Sequence, residues 1–311
     1  GTWTHTTGGV SAGSSTIIFG PGNKTIASSG MSFNNVEFAA VSATVTLADD
    51  MDLNGNLTIT SASSITGGFQ IRVAGNLTST DGTVNGTATI TLDGTGTQTI
   101  NTTGGDLPDG LFSVNKSAGT AQLISNMTTA LDGAGQGLTI TQGILDFNGF
   151  NLTVPDVLTV NASGTLQLEG GETVTTTTTT FNTGSTVLYD GGGSYTGLAA
   201  GNAYSNLTLN GSGTWTLDAA LDVNSNLTIT NGTLDVSGTN YQVNVAGNWS
   251  NSGTFTPRSG TVVFDGTNQS LTGSTTFNDY PKTKSTNNGT DVILTFETTP
   301  TKTVHILLIV D

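Results

Sequence analysis

Few side chains in this sequence have the type and spacing to do chemistry. Glu169 and Glu172, in "LEGGET", put two carboxylates across a pair of glycines. Paired carboxylates roughly 5–10 Å apart hydrolyse glycosidic bonds when they stand in a cleft lined by sugar-stacking aromatics. Aromatic residues make up 6% of the chain, and Phe181 is the one aromatic near the pair. A polysaccharide lyase or hydrolase is therefore the enzyme alternative, weakened because such enzymes on β-helices generally combine clustered Asp with Arg or Lys. Asp50, Asp52, Asn54 and Gly55 follow the first half of a calcium loop, but Ser61 stands where the bidentate Glu is required, so the segment reads as strand and turn. His5 and His305 lie at opposite ends, and no G-x-S-x-G elbow accompanies them. The six-Thr run in "TVTTTTTTFNTGSTV" lacks the regular T-x-T rank that a flat ice-binding face requires. No catalytic residue, cofactor or metal site is expected.

About sixteen Asn-x-Ser/Thr sequons are present, among them Asn56, Asn76, Asn126, Asn206, Asn226, Asn248 and Asn288. They are candidate N-glycosylation sites, and chance in a chain this rich in Asn and Thr accounts for many of them. The repeated "NLT" copies also suit the start of a strand, where Asn serves a turn or stacks in a ladder.

The background that must position these residues is unusual. There are 43 glycines, 9% charged residues and no cysteine. Thr, Val and Ile suit a pleated surface, and no stretch shows capped 3.6-residue periodicity. The net charge of −15, from 22 acids and 7 bases, leaves no basic footprint for nucleic acid. Disulfides and thiolate metal sites are excluded. The scarcity of Lys and the Thr/Asn/Ser/Gly richness point to an extracellular location, and the start at Gly1 to a processed form. No stretch approaches the ~20 apolar residues of a membrane span.

Two phrases recur. The first is "MDLNGNLTIT" at 51–60, "IRVAGNLTST" at 71–80, "LDFNGFNLTV" at 145–154 and "LDVNSNLTIT" at 221–230. The second joins an alternating strand to a glycine turn: "STIIFGPGNKTI", "ATITLDGTGTQTI", "STVLYDGGGSYTG" and "GTVVFDGTNQSLTG". Three short strands return every 20–22 residues in 221–266 and 137–190, which is the requirement of one coil of a parallel β-helix. The expected fold is all-β: a β-solenoid of about fifteen coils, roughly 70 Å long at ~4.8 Å per coil. Tandem β-sandwich domains are the competing architecture. The phrases divide a continuous solenoid over 1–303 into imperfect modules at about 1–81, 82–181, 182–257 and 258–303, followed by an apolar strand at 304–311.

The segments "GNWSNSGTFTPRSGTVVFDGTNQSLTGSTTF" and "NLTITNGTLDVSG" resemble the β-strand-repeat segments of large secreted prokaryotic surface proteins. The resemblance covers nearly the whole chain and implies a β-helical adhesin or cell-surface structural protein. It carries over no catalytic residue.

The two ends add a further expectation. Trp3 aligns with Trp249 and Phe19 with Phe264, so the chain starts part-way through a module. At the other end Ile306, Leu307, Leu308, Ile309 and Val310 run unbroken, apolar on both strand faces. Covering two or three such side chains contributes about 3–9 kcal/mol. The sequence therefore points to a subunit joined head to tail into a filament, tube or surface fibre, with Trp3, His5, His305 and Ile306–Val310 at the joint. An intramolecular lid strand and the stub of a trimmed sorting segment are the other readings of that terminus. The alternative function is a cell-surface adhesin or polysaccharide-binding segment, with glycans or a cell surface as partner.

Overall fold

The computed structural model describes residues 1–6 and 13–278 together with the strands Lys282–Thr283 and Thr295–Phe296. These residues form a parallel β-solenoid of about 13 turns, with no helix. Every strand pairing is parallel and links a coil to the next. Val36 pairs with Leu57, Leu57 with Leu77 and Leu77 with Ile100, so the register advances by 21, 20 and 23 residues.

Each coil contributes to three walls. The first wall runs unbroken from Thr16–Phe19 through Leu57, Leu77–Ser79, Gln98–Asn101, Thr186–Tyr189, Asn206–Leu209 and Leu227–Ile229 to Thr295–Phe296. The second begins with Thr2–Thr4 on Lys24–Ala27. The third begins with Ser32–Phe33 on Met51–Leu53.

Strand alternation explains the inside and the outside. In Met51–Leu53, Leu221–Val223 and Leu227–Ile229 the outer residues of each triplet are buried, and the middle Asp or Thr faces outward. Thr fills the outward positions because a β-branched side chain fits the pleat while its hydroxyl stays wet. The inward residues are mostly aliphatic, and one contiguous core runs along the rod.

The structure adds detail to the repeats. The described residues make about 13 turns, and the coils between 80 and 146 are lengthened by loops. The recurring phrase is not tied to one wall: "MDLNGNLTIT" crosses from the third wall to the first, whereas "LDFNGFNLTV" crosses from the first to the second. The phrase is thus a strand–corner–strand unit that serves either corner. For the same reason Trp3 and Trp249, alike in sequence, stand on different walls: Trp3 pairs with Ile26 on the second and Trp249 with Leu227 on the first. Likewise Phe19 is on the first wall and Phe264 on the third.

The walls are not equally complete. The second wall lapses into loops between 80 and 137, touched only by isolated bridges Ser64–Asn85 and Met127–Leu152. A second break lies at Val174–Phe181. This strand pairs backward with Leu152–Leu168, but no described strand pairs with its forward edge. The second wall resumes at Ser194–Thr196 and the third at Ala203–Tyr204. Only the first wall crosses this level, through 165–168, 186–189 and 206–209.

Candidate functional site

The most regular polar feature is a set of asparagine ladders at the corners. The side-chain oxygen of Asn35 accepts the amide of Asn56 at 2.8 Å, Asn56 accepts that of Asn76 at 2.8 Å, and Asn76 accepts that of Thr99 at 2.8 Å. A second ladder joins Asn126 to Asn151 at 2.9 Å and Asn151 to Thr173 at 2.7 Å. A third runs from Asn206 through Asn226 and Asn248 to Ser270, at 3.2, 2.9 and 2.9 Å. The first and third ladders climb the corner that leads into the first wall, and the middle one climbs the next corner. Six of the seven sequon asparagines named from sequence, all but Asn288, are therefore rungs of these ladders.

The glycine of "GN" follows from the same geometry. A Cβ at Gly75 would meet the Asn56 side-chain oxygen at 2.5 Å and the Gly55 backbone at 2.5 Å. A Cβ at Gly247 would meet the Asn226 oxygen at 2.8 Å. Only glycine lets the preceding carboxamide come this close.

Carboxylates are spent in a similar way. Asp49 accepts the amides of Ser28 and Ser29 at 2.7 and 2.6 Å, and Asp50 that of Gln70 at 2.9 Å. Buried Asp106 accepts Val84 and Leu107, each at 2.7 Å. Desolvation raises its pKa to about 6, against the lowering effect of those two amides. Asp235 binds Arg258 through two bonds at 2.6 and 2.7 Å, which hold its pKa below the usual value despite burial.

The Glu169/Glu172 pair resolves into two unlike groups. Glu172 is buried and accepts the amides of Glu169 at 2.6 Å, Gly170 at 2.7 Å and Gly149 at 3.3 Å. It anchors the "LEGGE" turn. Glu169 is exposed, and desolvation followed by the negative charge of Glu172 raises its pKa. Asp50 and Asp52 lie at a strand start, where Asp52 accepts the Ser32 hydroxyl at 2.5 Å and faces Arg72 at 3.7 Å. Among the described residues no group of three or more His, Cys, Asp or Glu could hold a metal ion.

An open groove of about 380 Å³ lies at the second wall break. Gly170–Glu172 border one side, Ser194–Ala199 the other, and Asp218 also lines it. The ring of Tyr195 stacks on buried Trp215 with centroids 5.7 Å apart, and Trp215 reaches across two coils to donate its indole N–H to the Glu169 carbonyl at 3.1 Å.

No family model matches the chain, and no curated protein or solved structure matches it.

Of the residues expected at a subunit joint, Trp3 is half-buried with its ring 5.2 Å from that of Phe33, inside the same chain. The His5 amide donates to the Ala27 carbonyl at 3.0 Å, and its own carbonyl accepts the Ser29 hydroxyl at 2.8 Å. His305, Ile306, Leu307, Leu308, Ile309, Val310 and Asn288 lie outside the described residues.

Sequence reasoning missed a set of buried glutamines. Gln98 donates to the carbonyls of Val73 and Gly75 at 2.8 and 2.5 Å and accepts the Gly94 amide at 3.0 Å. Gln269 repeats this on Val245, Gly247 and Gly266, and Gln136 on Pro108, Gly110 and Gly133. All three close a phrase that starts Asp-Gly: "DGTGTQ", "DGAGQ" and "DGTNQ". That phrase, with Gln four or five residues after Asp, was the available signal. Lys116 was missed as well. It is 1% exposed, and its ammonium donates to the Gly94 carbonyl and the Gln98 side-chain oxygen.

Proposed function

We propose that this chain is a non-catalytic structural rod of an extracellular or cell-surface protein, joined head to tail to copies of itself. The observation that carries this reading is the use to which reactive side chains are put. The ladder asparagines, the buried glutamines and the carboxylates of Asp49, Asp50, Asp106 and Glu172 are engaged with backbone amides and carbonyls at corners between coils. Chemistry that an enzyme would aim at a substrate holds this molecule's length instead. The Thr/Asn/Ser/Gly richness, the scarcity of Lys and the resemblance to secreted prokaryotic repeat segments support a place outside the cell. Among the described residues no helix is long and apolar enough to cross a membrane.

Head-to-tail association rests on the apolar run Ile306–Val310, which fits strand addition to a second subunit. Negative-stain electron microscopy at rising concentration, beside the same chain ending at Thr303, tests it. Fibres from the full chain that vanish on truncation are expected. Short rods from both would remove the joint and leave a monomeric, surface-binding adhesin as the better reading. Turnover of a polysaccharide that Glu169→Gln abolishes would overturn the non-catalytic reading.

A further inference from the structure

The level at which two walls break together is more than an irregularity. The Leu152 amide donates to the Thr173 carbonyl at 3.0 Å. In a parallel ladder this fixes the alternation, so the N–H and C=O of Val174 and Thr176 point to the forward side. No described strand receives them there. From the other side, the Thr214 amide donates to the Gly193 carbonyl at 2.8 Å, so the backbone groups of Ser194 and Thr196 point back towards the same opening. The groove of about 380 Å³ is bordered on this side by Ser194–Ala199 and on the other by Gly170–Glu172, the turn that leads into the Val174–Phe181 strand. An unpaired edge of this kind is a template for another extended chain.

The charge around the opening is of one sign. Glu172 and Asp218 line the groove. Glu169 and Asp190 belong to the same field: burial raises the pKa of each, and Glu172 and Asp146 repel both. No Lys, Arg or His occurs anywhere between Lys116 and Arg258, a stretch holding nine acidic residues. A carbohydrate would want an open aromatic face, but the Tyr195 ring is covered by Trp215 on one side and lies against Gly170 and Gly171.

We propose that this break is a docking site for an extended, basic polypeptide segment, which adds as a strand along the free edge of Val174 and Thr176 and places Lys or Arg side chains towards Glu169, Asp190 and Asp218. Main-chain bonds would supply affinity and the carboxylates the choice of partner. This site is independent of the head-to-tail joint.

The test is fluorescence anisotropy on the full chain, with a labelled peptide alternating Lys and Thr as probe. The same peptide with Glu for Lys, and one N-methylated at every second residue, serve as controls. Both controls are expected to bind at least tenfold more weakly. Combined Glu169→Gln, Asp190→Asn and Asp218→Asn changes should weaken the probe at least tenfold, whereas Glu37→Gln with Asp132→Asn, away from the groove, should change it less than twofold. On binding, hydrogen exchange at Val174 and Thr176 should slow. Equal affinity for the N-methylated peptide would mean charge attraction without strand addition and would overturn the proposal. Equal losses in the two sets of protein variants, or no binding, would overturn it too.

Discussion

The coils from 32 to 79 and those from 80 to 137 solve one problem by different means. In the first stretch all three walls are paired strands, and the backbone bonds itself from coil to coil. Its interior is Phe33, Leu53, Leu57, Ile59, Ile71 and Leu77, all nearly or fully inaccessible. Apart from Ser79 at its last coil, polar side chains stay at the rim, where Asn35, Asn56 and Asn76 tie adjacent corners. In the second stretch the second wall gives way to loops, and buried side chains stand in for the missing backbone partners. Asp106, Gln98, Thr102, Gln136 and Lys116 are all inside. A buried backbone amide must find an acceptor, and when no strand supplies one a side chain does. Between these two stretches, regularity and polar content of the core vary inversely.

Breaking each stretch at its centre gives the largest contrast. Leu57→Ala should cost about 2–5 kcal/mol, since the residue is fully buried between coils that cannot collapse independently. Chemical denaturation read by far-UV circular dichroism checks it. A cost below ~1 kcal/mol would mean that the coils are loosely packed.

The next contrast is in pH. The folded pKa of Asp106 is about 6, above its ordinary 3.8. A raised acid pKa means that the folded state binds more protons. Its contribution is fully present below pH ~4 and is lost as pH rises through about 6. The polar-cored stretch should therefore lose on the order of 1–3 kcal/mol between pH 4 and pH 7, whereas coils 32–79 should show no matching step. Asp106→Asn should flatten the step while costing stability, because its amide N–H₂ faces an amide donor. Hydrogen exchange resolved by segment across pH 4–8 measures both.

Lys116 sharpens the comparison with the opposite sign. Desolvation lowers its pKa and Asp93 partly restores it. A lowered lysine pKa means that folding costs more while the ammonium is charged. Lys116→Met should leave stability at pH 7 unchanged or raise it by about 1–2 kcal/mol, because replacing a buried charge by an apolar side chain of similar size is often favourable. A loss above 2 kcal/mol would show that the bonds to Gly94 and Gln98 outweigh desolvation. The smallest effect is expected at a single ladder rung. Asn76→Ala should cost about 1 kcal/mol, mainly at the Thr99 amide.

The contrast also explains what could be read from the chain. The 20–22-residue return, the alternation of Leu or Ile with Thr, and the "GNLT" phrase all arise within one coil, so they are visible in sequence and they led to the solenoid. The role of Asn in a ladder was open, because "NLT" also spells a sequon, and only stacking places the oxygen of Asn56 on the amide of Asn76. Lys116 was invisible for a related reason, and Gln98 showed only as the end of an Asp-Gly phrase: their partners Val73, Gly75 and Gly94 are brought to them by the coiling of the chain. The break after Val174–Phe181 left no mark either, since a six-Thr strand has the same composition whether or not its forward edge is paired.

Amide hydrogen exchange along the whole chain tests most directly the claim that polar side chains serve to hold coil to coil. The corner amides of Asn56, Asn76, Thr99, Val84, Leu107 and Gly170 should exchange as slowly as the first-wall strands, and Asn56→Ala should release Asn76 alone. The amides of Val174, Thr176, Ser194 and Thr196 should exchange rapidly in the unliganded chain. Corner amides that exchange at unprotected rates in the wild type would contradict the account.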